Sequence, residues 1–75
     1  MAKRRDQLLR ALGSRVRHLR EDKGWTQEVL ADHAGLDRSY IAGIEAGLRN
    51  PSVKALAKVA KGLGLSISDV VARVG

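Results

Sequence analysis

The sequence predicts an all-α fold, five short helices packed as one compact domain over residues 1–75. Three observations carry this expectation. Apolar residues recur every three or four positions in five separate segments, the period of a helix buried on one side. No segment alternates apolar and polar residues over the length of a strand. Three of the segments open alike, on a capping side chain flanked by two hydrophobic residues that clasp the first turn.

The first helix is expected over 6–23. Leu8, Leu12, Val16 and Leu19 form one face, with Leu9 beside them and arginines around the rest. Asp6 suits the N-cap, and Gly24 suits a left-handed stop. Gly13 inside this helix costs ~1 kcal/mol relative to alanine. Either a neighbouring helix passes close there, or the first turns are weakly held. Residues 1–5, with Lys3, Arg4 and Arg5, are expected to form a flexible basic arm. Arg15 and Arg17 are expected on a solvated face.

The second helix, 27–34, has Thr26 as its cap between Trp25 and Leu30. The third, 38–46, has Asp37 between Leu36 and Ile41. The fourth, 53–62, starts at Ser52 after Asn50-Pro51, with Leu56, Ala57, Ala60 and Leu63 as its stripe and Gly62 and Gly64 at its end. The fifth, 67–73, has Ser66 between Leu65 and Val70, and carries Ile67, Val70, Val71 and Val74. Four branched residues exceed what one side of a small core needs. They are expected to form a self-complementary seam between two copies.

Composition excludes several chemistries. There is no cysteine, hence no disulfide, thiolate metal site or thiol nucleophile. One Trp, one Tyr and no Phe leave little for a single-strand stacking platform. The longest apolar run is far below the ~20 residues of a membrane span. His18 and His33 lie on different helices and are expected to lack a ligand partner one turn away. No glycine-rich phosphate loop or catalytic acid pair is present. The expectation is no catalytic residue, no metal and no cofactor.

The net charge of +6 is unevenly placed. Residues 1–20 hold seven basic groups against Asp6 alone, and residues 21–75 balance to zero. Such a block attracts polyanions. An arginine-rich, acid-poor amphipathic start also resembles a transit peptide or a helix lying on a membrane. Against both, the other 55 residues would have too small a core without it.

The second and third helices are joined only by Gly35-Leu36-Asp37. A turn this tight forces a steep crossing, as in a helix-turn-helix. The corner needs a small residue facing the second helix, a positive φ at the turn, and branched residues pointing inward. Ala31, Gly35, and Ile41 with Ile44 meet these needs.

These residues and their neighbours resemble the lambda-repressor-like, Cro/repressor-type (XRE) helix-turn-helix regulators. The resemblance runs over about residues 10–73. It is carried by Arg17-x-x-Arg20, Gly24-Trp25-Thr26-Gln27, Leu30-Ala31, Gly35, the run Leu36 to Glu45, and Arg49-Asn50-Pro51-Ser52. The stretch with Arg49-Asn50 looks most like the controller proteins of restriction–modification systems. The resemblance implies a cytoplasmic, nucleoid-associated regulator that binds double-stranded DNA as a homodimer on a palindromic operator. It implies base reading by Arg38, Ser39 and Tyr40, with arginine suited to guanine O6 and N7. Gln27, Arg49, Asn50 and Ser52 would contact phosphates. Arg20 and Glu45 would form a structural ion pair. Gly43 would leave the reading face bare, or merely relieve a helix crossing. Partners beyond DNA would be RNA polymerase or, in an antitoxin-type alternative, a toxin. A membrane is not expected among them. The chain length leaves room for a reading head and a dimer seam, without a ligand sensor.

Overall fold

Leu30, Ile41, Ile44, Leu63, Val16, Val59 and Val70 are closed to solvent, and every helix contributes at least one of them. All seven are aliphatic, as a chain poor in aromatics requires. The computed structural model describes residues 2–74. Its helices are α1 (Ala2–Asp22), α2 (Gln27–Ala34), α3 (Arg38–Glu45), α4 (Val53–Leu63) and α5 (Ile67–Val71). α2 packs on α4 and α3, α1 packs on α3, and α5 closes the end against α1 and α4. The molecule measures 34 × 23 × 22 Å, its long axis matching the length of α1.

α1 starts earlier than expected. The segment anticipated as an arm over 1–5 is helical from Ala2 onward, and Asp6 lies inside the helix rather than capping it. Met1 is outside the described residues. Ala2, Lys3, Arg4, Arg5, Gln7 and Leu8 are all favourable in helices, and nothing before Gly13 breaks the run. Gly13 itself marks a close crossing. A Cβ there would overlap the Ile44 carbonyl oxygen and stand 2.6 Å from that of Glu45. The end of α3 therefore rests directly on the α1 backbone.

The caps explain where the next helices begin and end. Thr26 Oγ1 accepts from the Val29 N–H at 3.2 Å. Gly35 takes φ +67°, and the Leu36 N–H turns back to the Ala31 carbonyl at 3.0 Å. That left-handed residue makes the α2–α3 corner, over an Ala31 that is buried. Asp37 holds the N-cap position of α3 but makes no side-chain cap bond.

α4 differs from its expected face. Its buried residues are Ala55, Val59, Ala60 and Leu63, while Leu56 is half-buried and Ala57 exposed. In a helix built largely of Ala, Val and Leu, two adjacent stripes are nearly equal in hydrophobicity. Ala60 and Leu63 belong to both, and the row Ala55–Val59–Leu63, at i, i+4 and i+8, is turned inward by the packing of α2 on α4. Gly62 does not end the helix. It lies where α2 passes, and a Cβ there would stand 3.0 Å from the Ala34 nitrogen. Gly64 is the C-cap.

α5 is a five-residue helix, shorter than the expected 67–73. Ser66 and Asp69 cap it reciprocally: the Asp69 N–H donates to Ser66 Oγ, and the Ser66 N–H to Asp69 Oδ2, both at 3.0 Å. Val70, anticipated in a seam between copies, is 0% exposed and belongs to the core of its own chain. A single turn of helix can lodge only one side chain deeply, and Val70 is that side chain. Arg15 is not a solvated charge either. Its Nε donates to the Val70 carbonyl at 3.3 Å and its Nη2 to that of Asp69 at 3.0 Å.

Candidate nucleic-acid interface

Four parts of the chain meet at Glu45. Arg20 Nε donates to Glu45 Oε2 at 2.7 Å, and Arg20 Nη2 to Oε1 at 2.9 Å. This two-pronged geometry is the strongest form of the pair. Arg20 Nη1 donates to the Trp25 carbonyl at 2.7 Å, and Gln27 Nε2 to Glu45 Oε1 at 3.0 Å. The side chains of Arg20 and Glu45 are only 10% and 3% exposed. Hydrogen bonding to Glu45 holds the Arg20 pKa above its ordinary value, outweighing the opposing effect of burial. The network joins the end of α1, the loop after it, the start of α2 and the end of α3. No buried side-chain nitrogen or oxygen among the described residues lacks a partner.

This hub fixes the exposed start of α3. Arg38 and Ser39 are its first two residues, and both are exposed. Arg38 also lines a cleft with Arg20, Thr26, Gln27 and Glu28, between the starts of α2 and α3. Gln27 uses one N–H of its amide on Glu45. Its second N–H remains for another acceptor. Tyr40 is half-buried against the core and carries the Arg49 guanidinium over its ring, 5.0 Å from the centroid. Asn50 is exposed. Ser52 Oγ accepts the Ala55 N–H at 3.0 Å, capping α4 and leaving its own proton free to donate.

Gly43 has a different meaning from either one expected. It seats Arg49, whose Cγ would lie 2.9 Å from a Cβ at that position. This face of α3 is therefore not bare at this turn, because a loop arginine covers it.

Lys54 and Lys58 were not anticipated. With Leu36, Tyr40, Ser52 and Ala55 they line a second cleft, between α3 and α4. Their signal was present: two lysines four residues apart on a helix without any acidic residue. Between residues 38 and 61 the charges are Arg38, Arg49, Lys54, Lys58 and Lys61 against Glu45 alone. Glu45 is already paired. The electrically balanced remainder of the chain thus contains a positive stretch from α3 through α4.

Other expected residues fall elsewhere. Ile67, Val71 and Val74 are half-buried on or just after α5. The most exposed large apolar residues described are Leu48 (82%) and Val53 (76%), on either side of the Arg49–Ser52 loop. His18 does have a partner one turn away, since its Nε2 is 3.6 Å from Asp22 Oδ2 on an exposed surface. His33 stacks on Trp25, with ring centroids 4.2 Å apart and planes 7° from parallel. No group of three or more potential metal ligands occurs among the described residues. No described helix is long and apolar enough to cross a membrane.

Comparison with known proteins agrees with this geometry. Residues 16–70 match a family profile described as Helix-turn-helix. The crystal structure of the restriction-modification controller protein C.AhdI from Aeromonas hydrophila superposes with a TM-score of 0.81 at 44% identity, over 83% of this chain and 94% of that one. The immunity repressor of Bacillus phage phi105 is 42% identical over 60 residues, covering 80% of this chain and 42% of the repressor. The regulator SinR of Bacillus subtilis (strain 168) is 39% identical over 61 residues, covering 80% of this chain and 55% of SinR. The chain therefore spans about half the length of these two relatives.

Proposed function

Since this chain belongs to the helix-turn-helix family of XRE-type, lambda-repressor-like transcriptional regulators, a family of non-enzymatic DNA binders, we propose that it acts as a homodimer on a palindromic double-stranded operator. Arg38, Ser39 and Tyr40 read bases in the major groove. Gln27, Arg49, Asn50 and Ser52 hold phosphates on either side. The proposed site of action is the cytoplasm, at the nucleoid.

The observation that carries this reading is the rigid display of Arg38. It stands exposed at the N-terminal end of α3, and the far end of that helix is locked by the Arg20–Glu45–Gln27 hub. A reading arginine needs that combination. It must be free to make a two-pronged contact, worth ~1–3 kcal/mol of base discrimination, on a backbone that does not move. The half-buried Ile67, Val71 and Val74 support association of two copies, which would set two α3 helices about one turn of DNA, ~34 Å, apart. Similarity to C.AhdI over nearly that whole chain supports the restriction–modification controller subtype.

Fluorescence anisotropy with a panel of duplexes at fixed salt tests the reading. The parent protein should rank the duplexes strongly, and Arg38→Ala should flatten the ranking at one base step. An unchanged ranking in Arg38→Ala would remove α3 as the reader.

A further inference from the structure

A second group of cationic side chains lies away from α3. Arg15 and His18 of α1 and Arg73, just after α5, open with Ala11 and Ser14 onto one cleft of about 330 Å³. That volume is at the lower end of the range for small-molecule sites. Successive residues of a helix turn by about 100°. Ala11, Ser14, Arg15 and His18 therefore stand roughly opposite Gly13 and Arg20, which face α3. The cleft is on the far side of α1 from the helix that carries Arg38.

Arg15 is half-buried, and its Nε and Nη2 donate to the Val70 and Asp69 carbonyls at 3.3 and 3.0 Å. Those two bonds fix the plane of a guanidinium that has five N–H donors in all. His18 Nε2 lies 3.6 Å from Asp22 Oδ2, and the ring has a second nitrogen, Nδ1. Ser14 adds a hydroxyl, and Arg73 is exposed. Two acids are near. Asp22 pairs with His18 on an exposed surface, and the Asp69 carboxylate accepts the Ser66 N–H while lying within reach of the Arg15 charge. Neither is among the residues that line the cleft.

Charge and donor types decide what such a cleft fits. Two guanidinium groups suit a dianion. A phosphate monoester carries a charge of about −1.5 to −2 near neutrality and three strong acceptor oxygens. A carboxylate offers a single charge on two oxygens. We propose that the α1–α5 cleft binds the phosphate monoester of a small molecule, with Arg15 and Arg73 on the phosphate and His18 and Ser14 donating beside them. The proposal is independent of the operator reading, since it uses none of the residues assigned to DNA.

Proton NMR of the full chain tests this, because its two histidines are far apart in role: His18 lines the cleft and His33 stacks on Trp25. Methyl phosphate and inorganic phosphate, titrated separately at constant pH and ionic strength, should each shift the His18 ring signals saturably and leave those of His33 in place. Acetate should need about tenfold higher concentration. Arg73→Gln should weaken the phosphate response about tenfold, the loss of one charge-assisted contact, without changing the melting temperature of the free protein. If Arg73→Gln does not fold, Ser14→Ala must show the weakened response instead. A response to inorganic phosphate alone would overturn the proposal. So would a response that does not saturate, that His33 shares, that acetate equals, or that both variants retain in full. Loss of the His18 shift on adding one equivalent of duplex would also overturn it, since the cleft would then be a further contact for DNA phosphates.

Discussion

Arg49 lies across Gly43. The missing side chain of α3 leaves a seat, and the loop arginine fills it, with its guanidinium over the Tyr40 ring. A residue outside α3 is thereby made part of its face. The arrangement draws on a cation–π contact that is worth ~0.5–1 kcal/mol at an exposed site.

Gly43→Ala separates stability from binding. Alanine is favoured over glycine in a helix interior by up to ~1 kcal/mol, so the melting temperature should hold or rise. The new methyl group meets Arg49 Cγ and must push it off α3. DNA affinity should then fall about three- to tenfold, or ~1 kcal/mol. Thermal melting beside anisotropy checks both halves. Equal affinity would mean that the seat has no bearing on DNA.

Glu45→Ala should be severe. It leaves the Arg20 guanidinium almost buried with its two-pronged partner removed and the Gln27 amide unsatisfied. Removing one partner of a buried pair costs ~3–5 kcal/mol. In a domain this small that is a fall in melting temperature on the order of 15 °C or more. An unchanged melting temperature would show that the pair does not hold the fold.

Lys54→Gln and Lys58→Gln probe the cleft between α3 and α4. If each lysine neutralises one phosphate, each substitution should reduce the slope of log affinity against log salt by about 0.9. The ranking of duplexes should not change, in contrast with Arg38→Ala. A full salt titration on two duplexes measures both quantities. A slope equal to the parent's in the double variant would place these lysines off the DNA path.

Acid should loosen α5. The Ser66 backbone N–H, and then the Ser66 hydroxyl, hold the Asp69 carboxyl below the usual carboxylate range. A group depressed in the folded state stabilises it above its unfolded pKa, ~3.9, and that contribution is lost as pH falls through the lower folded value. The stability gap between the parent and Asp69→Asn should therefore be constant near neutrality and shrink below about pH 4. Urea unfolding of both proteins across that range measures the gap. A gap that widened in acid would contradict the cap.

The features legible in the sequence are those fixed by neighbours along the chain. Thr26, Ser52 and Ser66 cap helices because a hydroxyl three residues ahead of a free N–H needs no tertiary structure. Gly35 marks the corner for the same local reason. The features that were not legible depend on residues far apart. Arg15 meets α5 across 54 and 55 positions, and nothing near Arg15 announces it. The choice of Val59 over Ala57 as the inward residue is made by α2, not by α4 itself. The seat at Gly43 was invisible because its occupant comes from a loop, where side-chain direction has no period. Val70 shows the opposite failing. A cluster of four branched residues looks like surplus until one of them is needed to close the core.

The hub at Glu45 has a further consequence. Arg20, Gln27 and Glu45 use their polar groups on one another and on the backbone, while the side chains of Arg38 and Ser39 are exposed at the start of α3. On the proposed reading, base preference at Arg38 and Ser39 is written apart from the hub that holds the fold, whereas Tyr40 and Gln27 serve both. If Arg38 and Ser39 read bases as proposed, mutations there can search new DNA sequences while the domain stays folded, and the regulator can drift to new targets faster than its architecture changes.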